Sequence, residues 1–152
     1  MISKVTPQIF IGNADDARAA INSNFDSTLN LAIDLDIQDN LSEVVCRRLK
    51  RHKVGLVDGP GNPPLRMVAA LILLHTIVES GITVLVHCQA GMSRSVMVVA
   101  AYLDMVGASS LDDALTKIMP LRKVDQYSVA MYNLAQSALP IAKQVIAYGK
   151  KQ

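Results

Sequence analysis

The chain has 152 residues, of which 51% are hydrophobic and 18% are charged, and its formal net charge is +2. This length predicts a single domain, spanning 1–152, that can build a core without disulfide or metal staples. The small charge and the lack of a basic stripe interleaved with aromatic residues argue against a nucleic acid partner, and the longest apolar stretch, 67–78, is too short to span a membrane.

The first part of the chain alternates between strand and helix patterns. We predict strands over 5–12 and 28–33, separated by a short helix over 14–21 that Asn13 caps. A second helix is predicted over 41–51. This alternation is typical of an α/β domain.

The second predicted helix ends in a dense basic run from Arg47 to Lys53. Such a run is most simply a solvated helix face; alternatively, it is a positive patch that steers an acidic or phosphorylated partner. Cys46 precedes the run and is expected to be a buried or half-buried thiol. A redox role for Cys46 would require it to lie near the other cysteine, Cys88.

A short strand is predicted over 54–57, and it ends at Asp58, which opens a glycine- and proline-rich turn. A carboxylate at this place is presented on a loop, where it can serve as a general acid, but Asp-Gly is also a common turn pair. Spacing alone leaves both interpretations open. Asp34, Asp36 and Asp39 are competing carboxylates that lie further from the next motif in chain order.

The next unit is a helix over 65–80, a buried strand over 81–86, a tight loop over 87–95 and a buried helix over 96–103. The loop therefore precedes a helix N-terminus, where N–H groups lack intrahelical partners and the helix dipole is positive. This arrangement favours the binding of an anion. Since parallel strands end on one side of such a sheet, Asp58 can overhang this loop.

The residues of this loop fit covalent phosphoryl transfer. A helix N-terminus or a cation lowers the pKa of a thiol from about 8.5, which would make Cys88 a nucleophile. The Arg94 guanidinium can grip two oxygens of a phosphate, and Gly91 lets the backbone turn its N–H groups inward. Ser95 offers a hydroxyl that can donate to the sulfur as it leaves. A lone cysteine before a helix is more often a small buried hydrophobe, but chance would produce this combination on the order of once in ~10⁵ chains of this length.

The remainder of the chain is predicted to be helical. Gly107 is expected to end one helix, and the next one ends near Pro120. A last helical stretch is predicted over 125–138 and 141–148, interrupted by Pro140 because proline lacks the N–H of a helix interior.

The stretch His87-Cys88-x5-Arg94-Ser95 resembles the signature of the cysteine-dependent protein tyrosine phosphatases. The small size points to their dual-specificity branch, and the resemblance extends from Thr6 to about Leu134. It implies an α/β fold with a central, mostly parallel sheet flanked by helices on both faces and a phosphate-binding loop between a central strand and a buried helix. It also implies hydrolysis of phosphotyrosine, phosphoserine and phosphothreonine monoesters of proteins.

The resemblance implies a role for each residue of the site. Cys88 would form the phosphocysteine intermediate, and Asp58 would be the general acid and base, since the family's acid lies about this far upstream. His87 and Ser95 would support the cysteine, His87 without transferring a proton. The phosphate would be bound by the loop residues Gln89, Ala90, Gly91, Met92, Ser93 and Arg94.

The chain departs from the family at two places. Relatives often have proline-asparagine where this chain has Gln126-Tyr127, so Gln126 is a candidate for placing the hydrolytic water. The loop also lacks the lysines that phosphoinositide-directed relatives usually carry, which argues against a highly charged lipid headgroup. A phosphatase of a non-protein phosphate (lipid, nucleotide or RNA end) and a non-catalytic phospho-binding module remain as alternatives.

The expected partners follow from the same chemistry. They are a phosphorylated protein or peptide, and an oxyanion such as phosphate, sulfate or vanadate in the loop, with no cofactor, metal or membrane partner. A nucleophilic thiol and only two cysteines indicate a reducing compartment, so the chain is expected to be cytoplasmic. The mechanism requires the sulfur to be accessible and Asp58 to lie on the same side of the molecule.

Overall fold

A five-stranded sheet runs through the computed structural model, which describes residues 1–39 and 48–151. The strand order is β1-β2-β5-β3-β4, and only β1 is antiparallel to its neighbour. The strands are β1 (Ser3–Lys4), β2 (Ile9–Gly12), β3 (Ser27–Ala32), β4 (Lys50–Leu56) and β5 (Val84–His87).

The helices cover both faces of this sheet. The larger core, on one face, is formed with α2 to α5, and Val84 and Val86 of β5 point into it. Leu85 points to the opposite face, where it packs with Ala17 and Ala20 from α1 and the 3₁₀ turn that follows it. The expected mostly parallel sheet with helices on both faces is therefore confirmed. The helices are α1 (Ala14–Ala19), α2 (Pro64–Glu79), α3 (Arg94–Met105), α4 (Leu111–Leu121) and α5 (Val129–Lys150).

The central strand β5 leads directly to the loop that the sequence singles out. β5 is hydrogen-bonded to β2 on one side and β3 on the other, and all of its residues are buried. A strand covered on both faces needs an unbroken apolar run, which is why the sequence here does not alternate. Residues 96–101 of α3 are equally buried, so the loop between the two elements is held at both ends by the core.

The predicted helix over 41–51 is wrong at its C-terminal end, because β4 begins at Lys50, which lies opposite Ser27 of β3. Residues 40–47, with Cys46 and Arg47, lie outside the described residues. Lys50, Arg51, His52 and Lys53 lie in β4 and not on a helix face. Three of the described basic side chains bond to the chain itself: Arg51 to Asp39 and the Ala17 carbonyl, Lys53 to Asp36 and the Leu35 carbonyl, and Arg48 to the Ile21 and Phe25 carbonyls.

The N-terminal segment is a hairpin rather than one strand over 5–12. The Thr6 hydroxyl accepts hydrogen bonds from the Gln8 and Ile9 N–H groups, and this turn separates β1 from β2. The cap predicted at Asn13 is confirmed: its side chain accepts from the Asp16 N–H, and the Asp16 carboxylate accepts from the Asn13 N–H.

The last helix differs from its prediction at its first residue and at Pro140. α5 begins at Val129, where the Ser128 hydroxyl caps it by accepting from the Met131 N–H. It then continues without a break through Pro140, which is exposed. Within the described ranges, no helix combines the length and the apolar character needed to cross a bilayer.

Because Pro140 lies in a helix interior, we expect Pro140→Ala to stabilise the protein. Alanine restores an N–H donor and removes the clash of the ring with the preceding turn, which together are worth about 1–3 kcal/mol. Urea unfolding at 25 °C measures the change. An unchanged or lower free energy of unfolding would show that contacts of the proline ring outweigh its backbone cost.

Candidate active site

The loop over 88–93 has two of its carbonyl groups fixed on the outside. The Gln89 carbonyl accepts from the N–H of Ala14, the first residue of α1, at 2.9 Å. The Gly91 carbonyl accepts from Arg122 Nε at 2.8 Å. Each bond turns a peptide unit so that its carbonyl faces away from the centre of the loop.

The N–H groups of the loop converge on the Cys88 sulfur. Burial acts to raise the pKa of the Cys88 thiol, but hydrogen bonds from the Ser95 hydroxyl and from the N–H groups of Ser95, Gly91 and Ser93 lower it below its ordinary value. The Ser95 Oγ lies 3.3 Å from Cys88 Sγ. Such a concave ring of donors binds an anion, whether a thiolate or the oxygens of a phosphate.

Gly91 is a position where the loop requires glycine. Its φ is +68°, and a Cβ there would lie 2.6 Å from the Arg122 Nη2 and closer still to the Gly12 carbonyl. No side chain fits between the loop and β2 at this point.

Cys88 is only 2% exposed, less than expected for a nucleophile. It belongs to a small buried cluster with Ala14, Ala32 and Leu35. The thiol is therefore nearly covered in this structure, whereas the mechanism requires an electrophile to reach the sulfur.

Arg94 begins α3 and is held by one of its terminal nitrogens. Nη1 donates to Asp34 Oδ1 at 2.7 Å and to the Leu56 carbonyl at 3.0 Å, and the side chain is 5% exposed. Nε is buried and has no hydrogen-bond partner among the described residues. The guanidinium is thus fixed along one edge while Nε is available to an incoming oxyanion.

Asp34 lies further from the loop in chain order than Asp58, yet it pairs with Arg94. It follows β3 in a turn whose Leu35 carbonyl accepts hydrogen bonds from the buried Asn30 side chain at 2.7 Å and from Lys53 Nζ at 2.8 Å. The bond to Arg94 lowers the pKa of Asp34, so it is ionised at neutral pH. The ends of parallel strands meet at one edge of a sheet whatever their separation in sequence, which brings this carboxylate to the site.

The structure brings Asp58 to the loop from another strand end. The Ser93 hydroxyl donates to Asp58 Oδ1 at 2.7 Å, and Asp58 is exposed. The carboxyl group therefore lies on the open side of the loop. Asp36 and Asp39, the other two competing carboxylates, are paired with Lys53 and Arg51 instead.

His87 lies behind the loop and is fully buried. Burial lowers the pKa of His87 to about 4, so the ring is neutral at neutral pH and supplies no positive charge to the sulfur. Its Nδ1 lies 3.4 Å from the Cys88 carbonyl oxygen, with which it forms a hydrogen bond when Nδ1 carries the proton. Its contact is thus with the backbone of the cysteine.

Arg122 is a second residue whose place only the structure shows. Its guanidinium is buried and donates to the carbonyls of Met1, Ile11 and Gly91 and to the Ser3 hydroxyl. Burial lowers the pKa of Arg122, and the negative charges of Asp16 and then Cys88 oppose that shift. Arg122 therefore ties the loop to the N-terminal hairpin and places a cation near the sulfur.

The remaining candidates lie at the surface. Gln89 and Ala90 are exposed, and the Met92 side chain is 44% exposed at the open side. Gln126 is also exposed and faces a groove between α4 and α5, and none of the described hydrogen bonds joins its side chain to the loop.

Residues 9–136 match the family model described as the dual specificity phosphatase catalytic domain. The chain is 27% identical over 132 residues to 123R of Invertebrate iridescent virus 6, whose name describes a tyrosine phosphatase, with 80% of each chain covered. It is 30% identical over 115 residues to human dual specificity protein phosphatase 22, covering 75% of this chain but only 60% of that relative. A mouse structure assigned as a dual specificity phosphatase, complexed with zinc tungstate, has a TM-score of 0.78 at 22% identity and covers 95% of this chain and 90% of the other.

We expect Asp34→Ala to weaken the binding of vanadate by roughly 10-fold. Of the described partners of the Arg94 guanidinium, only the Leu56 carbonyl then remains. A small misplacement of this binding group lowers the affinity for the anion. Inhibition or calorimetric titration with vanadate measures the change. Asp36→Ala, which removes an exposed carboxylate from the same turn, is the matched control, and Asp34→Asn separates the charge from the geometry. Tighter binding by Asp34→Ala would show that relief of charge repulsion outweighs the orientation of Arg94.

We expect Cys88 to react with iodoacetamide as a thiolate below the ordinary thiol pKa of about 8.5. The rate should reach half its maximum below that pH, and Ser95→Ala should move the midpoint upward because it removes a donor to the sulfur. Mass spectrometry of a Cys46→Ser background follows the Cys88 adduct alone. A midpoint at or above 8.5 in the parent protein contradicts the expectation.

Proposed function

The chain belongs to the dual-specificity phosphatase family, and we propose that it hydrolyses phosphotyrosine and phosphoserine or phosphothreonine monoesters of proteins through a phosphocysteine on Cys88. The observation that carries the proposal is the ring of N–H donors and Arg94 around a sulfur whose pKa is lowered, with Asp58 on its open side. The proposal covers one catalytic domain over 1–152.

In the first step the Cys88 thiolate attacks phosphorus and forms the P–S bond while the P–O bond to the leaving group breaks. The three non-bridging oxygens lie against the loop N–H groups and the free Nε of Arg94, which stabilise the charge of the transition state. Asp58 gives its proton to the leaving oxygen, which would otherwise depart as an unstable alkoxide or phenolate.

In the second step a water molecule attacks the phosphocysteine. Asp58, now a carboxylate, takes a proton from this water as the P–S bond breaks and inorganic phosphate forms. The sulfur leaves as a thiolate that accepts hydrogen bonds from Ser95 and the loop N–H groups. Gln126 remains a candidate for placing the water.

The residues of the loop bear on the chemistry of the substrate. The mouse relative is complexed with a tungstate, a tetrahedral oxyanion like phosphate, which supports an oxyanion in the loop. The loop side chains Gln89, Ala90, Met92 and Ser93 are uncharged, which favours a protein phosphomonoester over a highly charged headgroup. A reducing, cytoplasmic setting is part of the proposal, because Cys88 must remain a thiol.

We expect Cys88→Ser to abolish the hydrolysis of p-nitrophenyl phosphate, since a hydroxyl in this loop is far less nucleophilic than a thiolate. Asp58→Asn should slow the hydrolysis of phenyl phosphate, whose leaving group needs a proton, by roughly 10²–10⁴-fold, the usual effect of losing general acid–base help. Steady-state assays with and without EDTA test both variants and the need for a metal. Asp113→Asn, an exposed carboxylate of α4, serves as the matched control.

Two outcomes would overturn parts of this proposal. If Cys88→Ser hydrolyses the substrate as fast as the parent, the covalent mechanism is wrong. If the parent protein binds phosphopeptides without releasing phosphate, the chain is a phospho-binding module. A panel of phosphotyrosine peptide, phosphothreonine peptide, phosphoinositide and RNA triphosphate then separates protein from non-protein substrates by kcat/KM.

A further inference from the structure

The loop that carries Asp58 has little backbone structure of its own. Gly59 and Gly61 have φ values of +148° and +103°, and prolines stand at positions 60, 63 and 64. Among the described backbone hydrogen bonds that lie outside helices and strands, the loop takes part in two: the Gly59 N–H donates to the Val57 carbonyl at 3.0 Å, and the Pro63 carbonyl accepts from the Arg66 N–H of α2 at 3.0 Å. A loop of this composition has no ladder of backbone bonds to hold its carboxyl group in one place.

The Asn62 side chain supplies the bonds that the backbone lacks. Its Oδ1 accepts from the Val57 N–H at 2.8 Å, and its Nδ2 donates to the Val57 carbonyl at 2.8 Å and to the Gly59 carbonyl at 3.2 Å. These contacts lie on both sides of Asp58 in the chain. The amide thus closes the loop into a ring, with Asp58 at the part that faces Ser93.

The loop makes few packing contacts with α5, the helix next to it. An open cavity of about 190 Å³ separates Gly59, Pro60 and Gly61 from Ala130 and Leu134 of α5. Tight packing against α5 would fix the loop without help from a side chain, but the cavity means that this packing is incomplete. The position of the Asp58 carboxyl group therefore depends on the Asn62 side chain and on the hydrogen bond from the Ser93 hydroxyl.

We propose that Asn62 is a positioning residue that holds the general acid over the phosphate loop. This inference rests on the proposed role of Asp58. A proton donor must lie within hydrogen-bond reach of the leaving oxygen, and a displacement of about 1 Å is enough to cost roughly 10²-fold in rate. Asn62 itself touches neither the substrate nor the reacting atoms.

Substrates differ in how much their leaving group depends on a proton from Asp58. An acidic phenol leaves readily without a proton, whereas the hydroxyl of serine or threonine is a poor leaving group and depends on the acid. Loosening of the Asp58 loop should therefore slow the hydrolysis of phosphoserine and phosphothreonine far more than that of activated aryl phosphates. Asn62 in this way helps to determine whether the site acts on both classes of phosphoester.

The test is the dependence of kcat/KM on the leaving group, because kcat/KM reports the step in which the leaving group departs and not the later hydrolysis of the phosphocysteine. We expect Asn62→Ala to lower kcat/KM by less than about 2-fold for p-nitrophenyl phosphate and by roughly 10-fold or more for phenyl phosphate and a phosphothreonine peptide. Asn62→Ala combined with Asp58→Asn should be no slower than Asp58→Asn alone, because two changes that act through one group are not additive. Asn24→Ala, an exposed asparagine remote from the loop in sequence, is the matched control.

Vanadate inhibition and thermal unfolding separate this role from a general loss of structure. The inhibition constant of vanadate should stay within about 2-fold of the parent in Asn62→Ala, because the phosphate loop is not changed. If Asn62→Ala slows all substrates equally, or adds its effect to that of Asp58→Asn, the positioning role is wrong while the proposed mechanism stands. If Asp58→Asn itself leaves the leaving-group dependence unchanged, the proposed acid is wrong and this inference with it.

Discussion

The site depends on the orientation of a few peptide units between β5 and α3. Successive N–H groups can point to one side only if the carbonyl groups on the other side also have hydrogen-bond partners, since each carbonyl needs a partner as much as each N–H does. Here the carbonyls of Gln89 and Gly91 find theirs on the outside, in the first N–H of α1 and in Arg122. The N–H groups are then left facing inward, and a thiolate can exist in a buried place because they surround it.

Two carboxylates from different strand ends contact residues around this ring of N–H groups. Asp34, after β3, holds one edge of Arg94, while Asp58, after β4, accepts a bond from Ser93 on the open side. The Asp34 carboxylate is more than half exposed, so water screens its charge. Asp34 matters through geometry instead: it fixes a cation whose other edge is free for an oxyanion.

Two buried polar side chains, His87 and Arg122, lie behind the loop and differ in charge. His87 is neutral and meets only the backbone of Cys88, whereas Arg122 is charged and donates to carbonyls and a hydroxyl on three segments of the chain. A buried cation is costly unless hydrogen bonds compensate it, and the bonds of Nε and Nη1 of Arg122 supply that compensation. The same bonds make the phosphate loop part of the structure formed by the hairpin and β2, so that the loop has its shape before any anion binds.

The sequence by itself determined the elements and the reactive group. An unbroken apolar run, then Cys88 and Gly91, then Arg94 at a helix start predicted the strand, the loop and its affinity for anions, because these depend on neighbours along the chain. It could not fix the start of β4, where pairing with β3 overrides a helical pattern, or the passage of α5 through Pro140, which packing of the rest of the helix permits. Only the tertiary structure decided that Asp34 contacts Arg94 and that Arg122 contacts the loop, because strand ends and side chains far apart in sequence meet only when the sheet forms. The bonds by which Asn62 closes the Asp58 turn are local, but their geometry follows from the path that the loop takes between β4 and α2.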